Sequence, residues 1–377
     1  MRVHVQRAAA WARCSGSLHS IIDGALSNYA IFSDPLFHSA TRSFFEFGSP
    51  SLIRARDIKI ISWKWNGAYR DSRQRFFLVS QAGGLLSDGP ESHECWLDMF
   101  PFVQRDGNAY NLDLSGAMSI ELSNANELFW AGGNSHFGHW FGDVLHRFIW
   151  HQNFHRDSFE ILSNYLTEFQ SHVLQGLFTR LPNVTLLPES EAQLTVYHVP
   201  RLAVLACVPI SMRWCLIRRQ IRKVFNNSQK HNYKPIYLYR GYQGGVRRVA
   251  NEEELVNHLI SQDLAIVLDP SQLSFRELGN LLIDQKFFII PSGSANTNFF
   301  IFGDDNSLML YLVPRGFQRN SATFKYGAYE YIRPFESHTE YFHSNLAQSG
   351  IGGHDANFIV DIESLTERIN NLTFREP

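Results

Sequence analysis

The sequence predicts an α/β protein whose clearest part, residues 235–314, forms a parallel sheet with helices on both faces. The segments PIYLYR, LAIVLD, KFFIIPSG and SLMLYLVP are short and almost continuously apolar, as strands buried on both faces are. Helical patterns separate them, and this alternation is typical of parallel sheets. Because such sheets bind ligands beyond the carboxyl ends of their strands, the loop after PIYLYR and the PSGSAN turn are predicted to lie at a ligand-binding edge.

Length and composition bound the remaining possibilities. The chain has 377 residues, which predicts two domains. A formal net charge of -2 provides no basic field of the kind that nucleic-acid-binding proteins use, so no nucleic-acid partner is expected. The cysteines form no CxxC pair, which favours free thiols in a reducing compartment over a structural zinc site. They are Cys14, Cys95, Cys207 and Cys215.

The sequence pattern also suggests where the domains begin and end. We expect an N-terminal domain over residues 1–225, of which 1–120 is β-rich, and a polar linker over 226–234. A second domain is expected over 235–350. The remaining segment, 351–377, is predicted to contain a helix that could pack back on the N-terminal domain.

The cellular location is predicted from what the chain lacks. No apolar window reaches the roughly 20 residues of a membrane span, and the first residues lack the apolar run of a signal peptide. We therefore expect a cytoplasmic protein, with a peripheral position at the inner membrane as the alternative. Residues 212–225, MRWCLIRRQIRKVF, are predicted as a basic amphipathic helix. Such a helix either presents a solvated face before the linker or contacts an anionic membrane surface.

The N-terminal half contains an unusual cluster of ionisable residues. RDIKIISWKW and QRFFLVSQ are predicted strands, and ELFWAGG is a predicted strand that ends in a glycine turn. The following stretch, NSHFGHWFGDVLHRF, is predicted as an α-helix that places His139, Asp143, His146 and Trp150 on one face. These groups indicate metal ligands, a proton-transfer pair or hydrogen-bonded core histidines, and the stretch alone does not distinguish the three.

The loop after PIYLYR is rich in arginine. Arg240 ends the strand, and Arg247 and Arg248 come just before a predicted helix that starts at Asn251, with Glu254 in capping-box position. Guanidinium groups near a helix N-terminus describe a diphosphate site in outline. The alternative is that these are surface arginines on a glycine-rich loop.

The PSGSAN turn offers a second phosphate-binding element. Ser292, Gly293 and Ser294 lie where a helix begins, so backbone N–H groups could hold a phosphate there. Between the two loops, Ser274 and Glu277 predict a second capping box. One nucleoside diphosphate could span both loops, and neither loop carries the GxGxxG or GxxxxGK[ST] fingerprint of dinucleotide or ATP sites.

With these motifs the chain resembles glycosyltransferase family 61, also called DUF563 or capsular polysaccharide biosynthesis proteins. Three blocks between about residues 130 and 315 carry the resemblance: GHWFGDVLHR, YLYRGYQGGVRRVANEEEL and IIPSGSANTNFFIF. The SFRE helix between the last two blocks also fits. Many members carry HGA or HGS in the third block, where this chain has Ser292, Gly293 and Ser294. That departure bears on the donor contact and on the identity of the donor.

The resemblance implies a GT-B architecture, with two Rossmann-like domains facing a cleft and additional N-terminal β elements. It implies inverting transfer from a nucleotide sugar, usually a UDP-sugar, to a glycan acceptor in bacterial surface polysaccharide synthesis, with no essential metal and no other cofactor. The residues expected on the donor side are Arg240, Arg247, Asn251, Glu277, Ser292, Gly293, Ser294 and Asn298. Those expected on the acceptor side are His136, Trp140 and Arg147.

An inverting transfer needs a base for the acceptor hydroxyl. Asp143 is the predicted base, and His139, one turn earlier, could hydrogen-bond to it. The alternative is that His139 is the base and Asp143 orients it. Arg147, one turn after Asp143, could pair with the carboxylate. Glu277 could reach the ribose, although its capping role is sufficient to explain it.

Two other functions compete with the transferase. His136, His139 and Asp143 could form a facial set for zinc in a metal-dependent hydrolase. The protein could also be a non-catalytic glycan-binding protein. Neither function needs a diphosphate site, so the arginine pair favours the transferase.

Overall fold

The computed structural model of the protein forms two compact units, Met1–Ile217 and Arg218–Pro377. The residues that it describes are 1–6, 18–21, 51–64, 74–81, 83–86, 100–123, 126–133, 137–154, 159–164, 166–206, 208, 210–225, 234–241, 247–304, 306–315, 317, 333–347 and 356–373.

The first unit is built on one large mixed sheet, in the order β11-β10-β9-β12-β3-β4-β5-β1-β7-β6, with β2 added beside β3 and β8 beside β12. The two strands predicted from RDIKIISWKW and QRFFLVSQ are confirmed as β3 and β4. The strands are β1 (Arg2–Gln6), β2 (Leu18–Ile21), β3 (Ser51–Lys64), β4 (Gln74–Val79), β5 (Gly84–Leu86), β6 (Val103–Asp106), β7 (Ala109–Leu112), β8 (Met118–Glu121), β9 (Leu128–Gly132), β10 (Glu160–Ser163), β11 (Val184–Leu186) and β12 (Leu194–Ala206).

One end of this sheet is parallel and carries helices. Strands β11, β10, β9 and β12 run parallel, whereas β12 pairs antiparallel with β3. The chain passes from β9 to β10 to β11 in one direction and then returns to place β12 on the other side of β9. The strand order therefore reverses between β9 and β12, and at such a point the loops of a parallel sheet leave in opposite directions and open a crevice. The helical segments of this unit are α1 (Phe137–His139), a π-helix (Trp140–Leu145), α2 (His146–Phe154), α3 (Glu168–Leu177) and α4 (Ile210–Val224).

The predicted helix after β9 is present, but its middle is π-helical rather than α-helical. Every side chain of the π segment is buried, and burial continues through His151. The helix is therefore surrounded by protein from Trp140 to His151. The 3.6-residue period that places His139, Asp143, His146 and Trp150 on one face does not hold through the π segment. π segments are uncommon and occur frequently at functional sites.

The second unit confirms the predicted parallel sheet. Its order is β14-β13-β15-β16-β17-β18, and all neighbours except β17 and β18 are parallel. The strand order reverses between β13 and β15. The strands are β13 (Ile236–Leu238), β14 (Ile266–Leu268), β15 (Phe287–Pro291), β16 (Leu308–Pro314), β17 (Thr339–Leu346) and β18 (Phe358–Ile359), and the helices are α5 (Glu252–Ser261), α6 (Phe275–Leu282), α7 (Asn296–Phe302) and α8 (Ile362–Thr373), with 3-10 turns at Pro270–Gln272 and Arg333–His338.

Apolar helix faces cover both sides of this sheet, as the continuous apolar strands predict. On one side, Leu255 of α5 and Leu365 of α8 pack with Ile289 and Leu310 of the sheet. On the other side, aromatic rings fill the layer, with centroids 5.4–6.1 Å apart. These rings are Phe225, Phe275, Phe288, Phe299 and Phe302.

Two details of the predicted organisation differ from the structure. The unit boundary falls inside α4, between Ile217 and Arg218, rather than at a linker over 226–234. The C-terminal helix α8 packs in the core of the second unit through Leu365 and Ile369, because its apolar stripe completes the layer formed by α5.

The basic helix α4 was also misinterpreted as mainly solvated. Most of its described side chains are buried, and the Arg218 guanidinium donates to the carbonyl of Gly303 and lies 5.6 Å from the Phe335 ring. Arg222 donates to the same carbonyl at 3.1 Å. That carbonyl lies at the C-terminus of α7, where the helix dipole favours cations. The basic character of α4 is therefore used largely inside the protein, and a membrane contact through this helix stays a prediction.

Candidate active site

The first unit brings three ionisable side chains together in one contact chain. The Nδ1 atom of His139 lies 3.1 Å from Oδ2 of Asp143, and the Nη1 atom of Arg213 donates to Oδ1 of the same carboxylate at 2.8 Å. The His139 side chain is 33% exposed, whereas those of Asp143 and Arg213 are 9% and 18% exposed. The predicted His139–Asp143 contact is therefore present, and His139 is the more exposed of the two side chains.

The topology explains why these residues meet. His139 and Asp143 follow β9, and Arg213 follows β12, the two strands between which the strand order reverses. The Nε atom of Arg213 donates to the carbonyl of Val208 at 2.8 Å, which fixes the guanidinium at the start of α4. Arg213 was not among the predicted site residues. It is 70 positions from Asp143 in sequence and sits in a helix whose many arginines suggested a solvated face.

His146 is a buried and uncharged neighbour of Arg213. Its side chain is 1% exposed. Burial holds its pKa well below the usual value, and the positive charges of Arg213 and Arg147 act in the same direction, against a weaker opposing contact with the Gly142 carbonyl. His146 is therefore neutral at neutral pH, which fits the interpretation of this residue as a core histidine.

The predicted acceptor-side residues have different positions. Trp140 is fully buried with its ring against Phe141, and Arg147 is 2% exposed, with Nη1 3.4 Å from the Ala131 carbonyl. Both side chains are buried, and an acceptor contact by either stays a prediction. Asp143 forms an ion pair with Arg213, and the predicted pair with Arg147 stays a prediction. His136 lies outside the described residues.

The second unit brings the two predicted phosphate loops together. Arg240 follows β13, and its Nη1 atom donates to the carbonyl of Ser292 after β15 at 2.5 Å and to that of Arg247 at 3.0 Å. Gly293 makes this approach possible. A Cβ atom at that position would lie 2.7 Å from Nη1 of Arg240, and the glycine has a φ of +145°. Since β13 and β15 flank the reversal of strand order, Arg240 and Gly293 lie at the expected ligand-binding point.

Two arginines lie close together at this point. Burial lowers the pKa of Arg240, and the nearby positive charge of Arg247 lowers it further, against weaker opposing effects from Tyr311 and Glu252. Arg247 also has a φ of +60°, a strained conformation for a residue with a side chain. Two close cations on a strained loop favour an anionic ligand.

The PSGSAN turn supplies buried polar groups. Ser292 and Asn298 are 0% and 1% exposed, and neither the Ser292 Oγ nor the Asn298 Oδ1 has a hydrogen-bond partner among the described residues. The backbone N–H of Gly293 donates to the Tyr311 hydroxyl at 3.1 Å, so this N–H is already used within the protein. Ser294 is half-buried. Buried polar atoms without partners indicate a site that a ligand or water completes.

Two predicted donor residues have structural partners. Asn251 was predicted to cap α5, but its side chain makes no cap bond. Its Nδ2 donates to the Val360 carbonyl at 2.9 Å and its Oδ1 accepts from the Val360 N–H at 3.0 Å. Glu277 forms the predicted capping box with Ser274 and is exposed. A donor contact by either residue stays a prediction.

Glu252 is a site residue that the sequence did not reveal. It is 8% exposed, and its Oε1 accepts from the Tyr237 hydroxyl at 2.8 Å and from the Arg240 N–H at 3.0 Å, while Oε2 accepts from the Gly241 N–H at 3.1 Å. Burial raises its pKa, and the hydrogen bonds oppose that shift. The run NEEE suggested only a helix start, because three consecutive glutamates are normally solvated.

Neither a membrane span nor a metal cluster appears in the parts of the chain that the structure describes. No helix there is long and apolar enough to cross a bilayer. Within the same residues, no group of three or more His, Cys, Asp or Glu side chains is arranged to hold a metal ion. The predicted zinc set includes His136, outside those residues, and is therefore untested.

Comparison with known proteins supports the resemblance to a family. Residues 137–309 match the family model described as Glycosyltransferase 61, which confirms the resemblance that the motifs carry. The match begins at the helix with His139 and Asp143 and includes Arg213, Arg240 and the PSGSAN turn. No curated protein matches the chain.

Among solved structures, the chain is similar to the bacterial iron-containing dodecameric glycosyltransferase TibC from enterotoxigenic E. coli H10407. The identity is 9%, the alignment covers 70% of this chain and 75% of that one, and the TM-score is 0.27. The family match supports a glycosyltransferase, and the chain has a mixed α/β fold.

Proposed function

We propose that the protein is an inverting glycosyltransferase that moves a sugar from a nucleoside diphosphate, most simply UDP, to a glycan acceptor by a single in-line displacement. The observation that carries the proposal is the Arg240 guanidinium, held by the Ser292 and Arg247 carbonyls against Gly293 at the reversal of strand order. A partly buried cation beside a second arginine is suited to the charge that develops on a departing diphosphate.

The base that we propose is His139, the alternative in the sequence-based prediction, rather than Asp143. Asp143 uses one oxygen for Arg213 and the other for His139, and its side chain is 9% exposed. When Nδ1–H donates to the carboxylate, Nε2 is the ring nitrogen that carries the lone pair, and His139 is the more exposed of the two side chains. The geometry therefore supports Asp143 as the group that orients His139, and Arg213 as the group that holds Asp143.

The proposed reaction has one chemical step. The acceptor hydroxyl gives its proton to Nε2 of His139 while its oxygen forms a bond to the anomeric carbon. The bond between that carbon and the diphosphate oxygen breaks, and the electron pair leaves with the nucleoside diphosphate near Arg240 and Arg247. The imidazolium that forms is stabilised by Asp143, and the leaving charge by the two guanidinium groups.

The finer features of the assignment are part of the same proposal. We propose a GT-B arrangement, a UDP-sugar donor, and a role in bacterial surface polysaccharide synthesis, with no metal needed for the diphosphate. The support is that the parallel part of each sheet carries charged or polar groups at its own reversal of strand order. In the second unit these groups include the arginine pair that would replace a metal ion.

Calorimetry tests the donor site. We expect UDP to bind in EDTA with micromolar affinity, and Arg240→Ala to weaken binding about tenfold or more, since each tenfold change is about 1.4 kcal/mol. The matched control is Arg276→Ala, an exposed arginine on α6 of the same unit, which should bind UDP as the unaltered protein does. GDP, CMP and dTDP are measured in parallel. Binding of none of these in EDTA, with binding restored by a divalent ion, would contradict the metal-free transferase and favour the hydrolase.

A further inference from the structure

We infer that Glu252 is a positioning residue for the donor: it holds Arg240 in the orientation that receives the diphosphate. This inference rests on the proposed donor site, and it assigns a function to a residue that the sequence presents as one of three glutamates at a helix start. The positioning acts through the main chain of the loop after β13.

The contacts of Glu252 show how it reaches Arg240. Its two carboxylate oxygens accept from the consecutive N–H groups of Arg240 and Gly241, at 3.0 and 3.1 Å. Consecutive N–H groups of this kind form a small anion-binding concavity. Here the carboxylate of Glu252 fills that concavity and fixes the course of the main chain where it leaves β13. The remaining hydrogen bond, from Tyr237 below, fixes the carboxylate itself.

The fixed main chain determines the position of the Arg240 guanidinium group. Once the Arg240 backbone is fixed, its side chain crosses to the Ser292 carbonyl and lies against Gly293. Because the N–H groups of Arg240 and Gly241 already bind Glu252, an incoming phosphate has to be bound by other groups. The charged side chains among the described residues of this loop are Arg240, Arg247 and Arg248.

A double-mutant cycle tests the inference. Glu252→Gln keeps the shape of the side chain but removes the charge and one acceptor, and we expect it to raise the Kd for UDP and the donor KM about tenfold, with the acceptor KM unchanged. In the Arg240→Ala background the same change should alter the Kd for UDP less than about twofold, because its effect passes through Arg240. Glu254→Gln, an exposed glutamate on the same helix, is the control and should have no effect.

The outcomes separate the inference from the proposed function. If Arg240→Ala weakens UDP binding but Glu252→Gln has no effect, or adds its full effect to that of Arg240→Ala, the positioning role is overturned and the donor site stands. If Arg240→Ala leaves UDP binding unchanged, both are overturned. Should Glu252→Gln fail to fold, Tyr237→Phe removes only the hydroxyl that fixes the carboxylate. We then expect a smaller rise in the Kd for UDP, about twofold to threefold, again absent in the Arg240→Ala background.

Discussion

The contact between Gly293 and Arg240 makes the most direct prediction, the effect of Gly293→Ala. The added Cβ would lie 2.7 Å from Nη1, 3.0 Å from Cζ and 3.3 Å from Nη2 of Arg240. Carbon and nitrogen atoms cannot approach to 2.7 Å without repulsion, so the guanidinium has to move away from the Ser292 carbonyl. The backbone contributes a second cost, since a φ of +145° is disfavoured for alanine by roughly 1–3 kcal/mol.

The expected result combines a binding loss with a stability loss. We expect the Kd for UDP to rise about tenfold or more, because hydrogen bonds to charged groups contribute roughly 1.5–3 kcal/mol each and the guanidinium loses its fixed position. The free energy of unfolding should fall by about 1–3 kcal/mol. Calorimetry with UDP and denaturant unfolding followed by circular dichroism measure the two quantities separately.

Gly107→Ala is a matched control for the backbone cost. Gly107 lies in the first unit with a φ of +60°, and a Cβ there would meet nothing within 4 Å. This variant should lose stability from strain alone, by about 1 kcal/mol, and should bind UDP normally. If Gly293→Ala also binds UDP normally and differs from the wild-type protein only in stability, the reasoning that Gly293 exists to admit Arg240 is refuted.

Three further predictions concern other contacts. Arg213→Gln removes the 2.8 Å ion pair with Asp143, so we expect a loss of about 3 kcal/mol in unfolding free energy and a fall of about 10²-fold in kcat with an unchanged donor KM. An unchanged kcat would exclude a positioning role. Because the pKa of His146 is lowered in the folded protein, only the unfolded chain binds a proton there just below pH 6.5, and stability falls as the pH decreases. Between pH 7.5 and 5.5, His146→Gln should therefore lose about 1.4 kcal/mol less unfolding free energy than the wild-type protein. Equal losses would refute the conclusion that His146 is neutral in the folded protein. Asn251→Ala removes the side chain that binds the N–H and the carbonyl of Val360, which should cost about 2 kcal/mol of stability while the Kd for UDP is unchanged. A selective loss of UDP binding would instead support the predicted donor contact of Asn251.

Sequence patterns predicted the sheet of the second unit well, because the patterns that indicate its strands and helix starts lie within short stretches of sequence. Strands buried on both faces are recognisable from continuous apolar runs, and the capping box of Ser274 and Glu277 is confirmed because both partners lie within one helical turn. The same locality explains the failure at Asn251. Its side chain binds the main chain of Val360, 109 residues away, and no local pattern indicates that contact.

The sequence itself determined four features: the resemblance to the family, the mixed α/β class, the His139–Asp143 pair and the pairing of the Arg240 loop with the PSGSAN turn. Helical spacing, strand order and short motifs are properties of neighbouring residues. Tertiary structure alone decided that Arg213 holds Asp143, that Glu252 holds the Arg240 loop and that the basic helix α4 is largely buried. These depend on where separate segments meet, because the role of a charged side chain is set by the groups that surround it after folding.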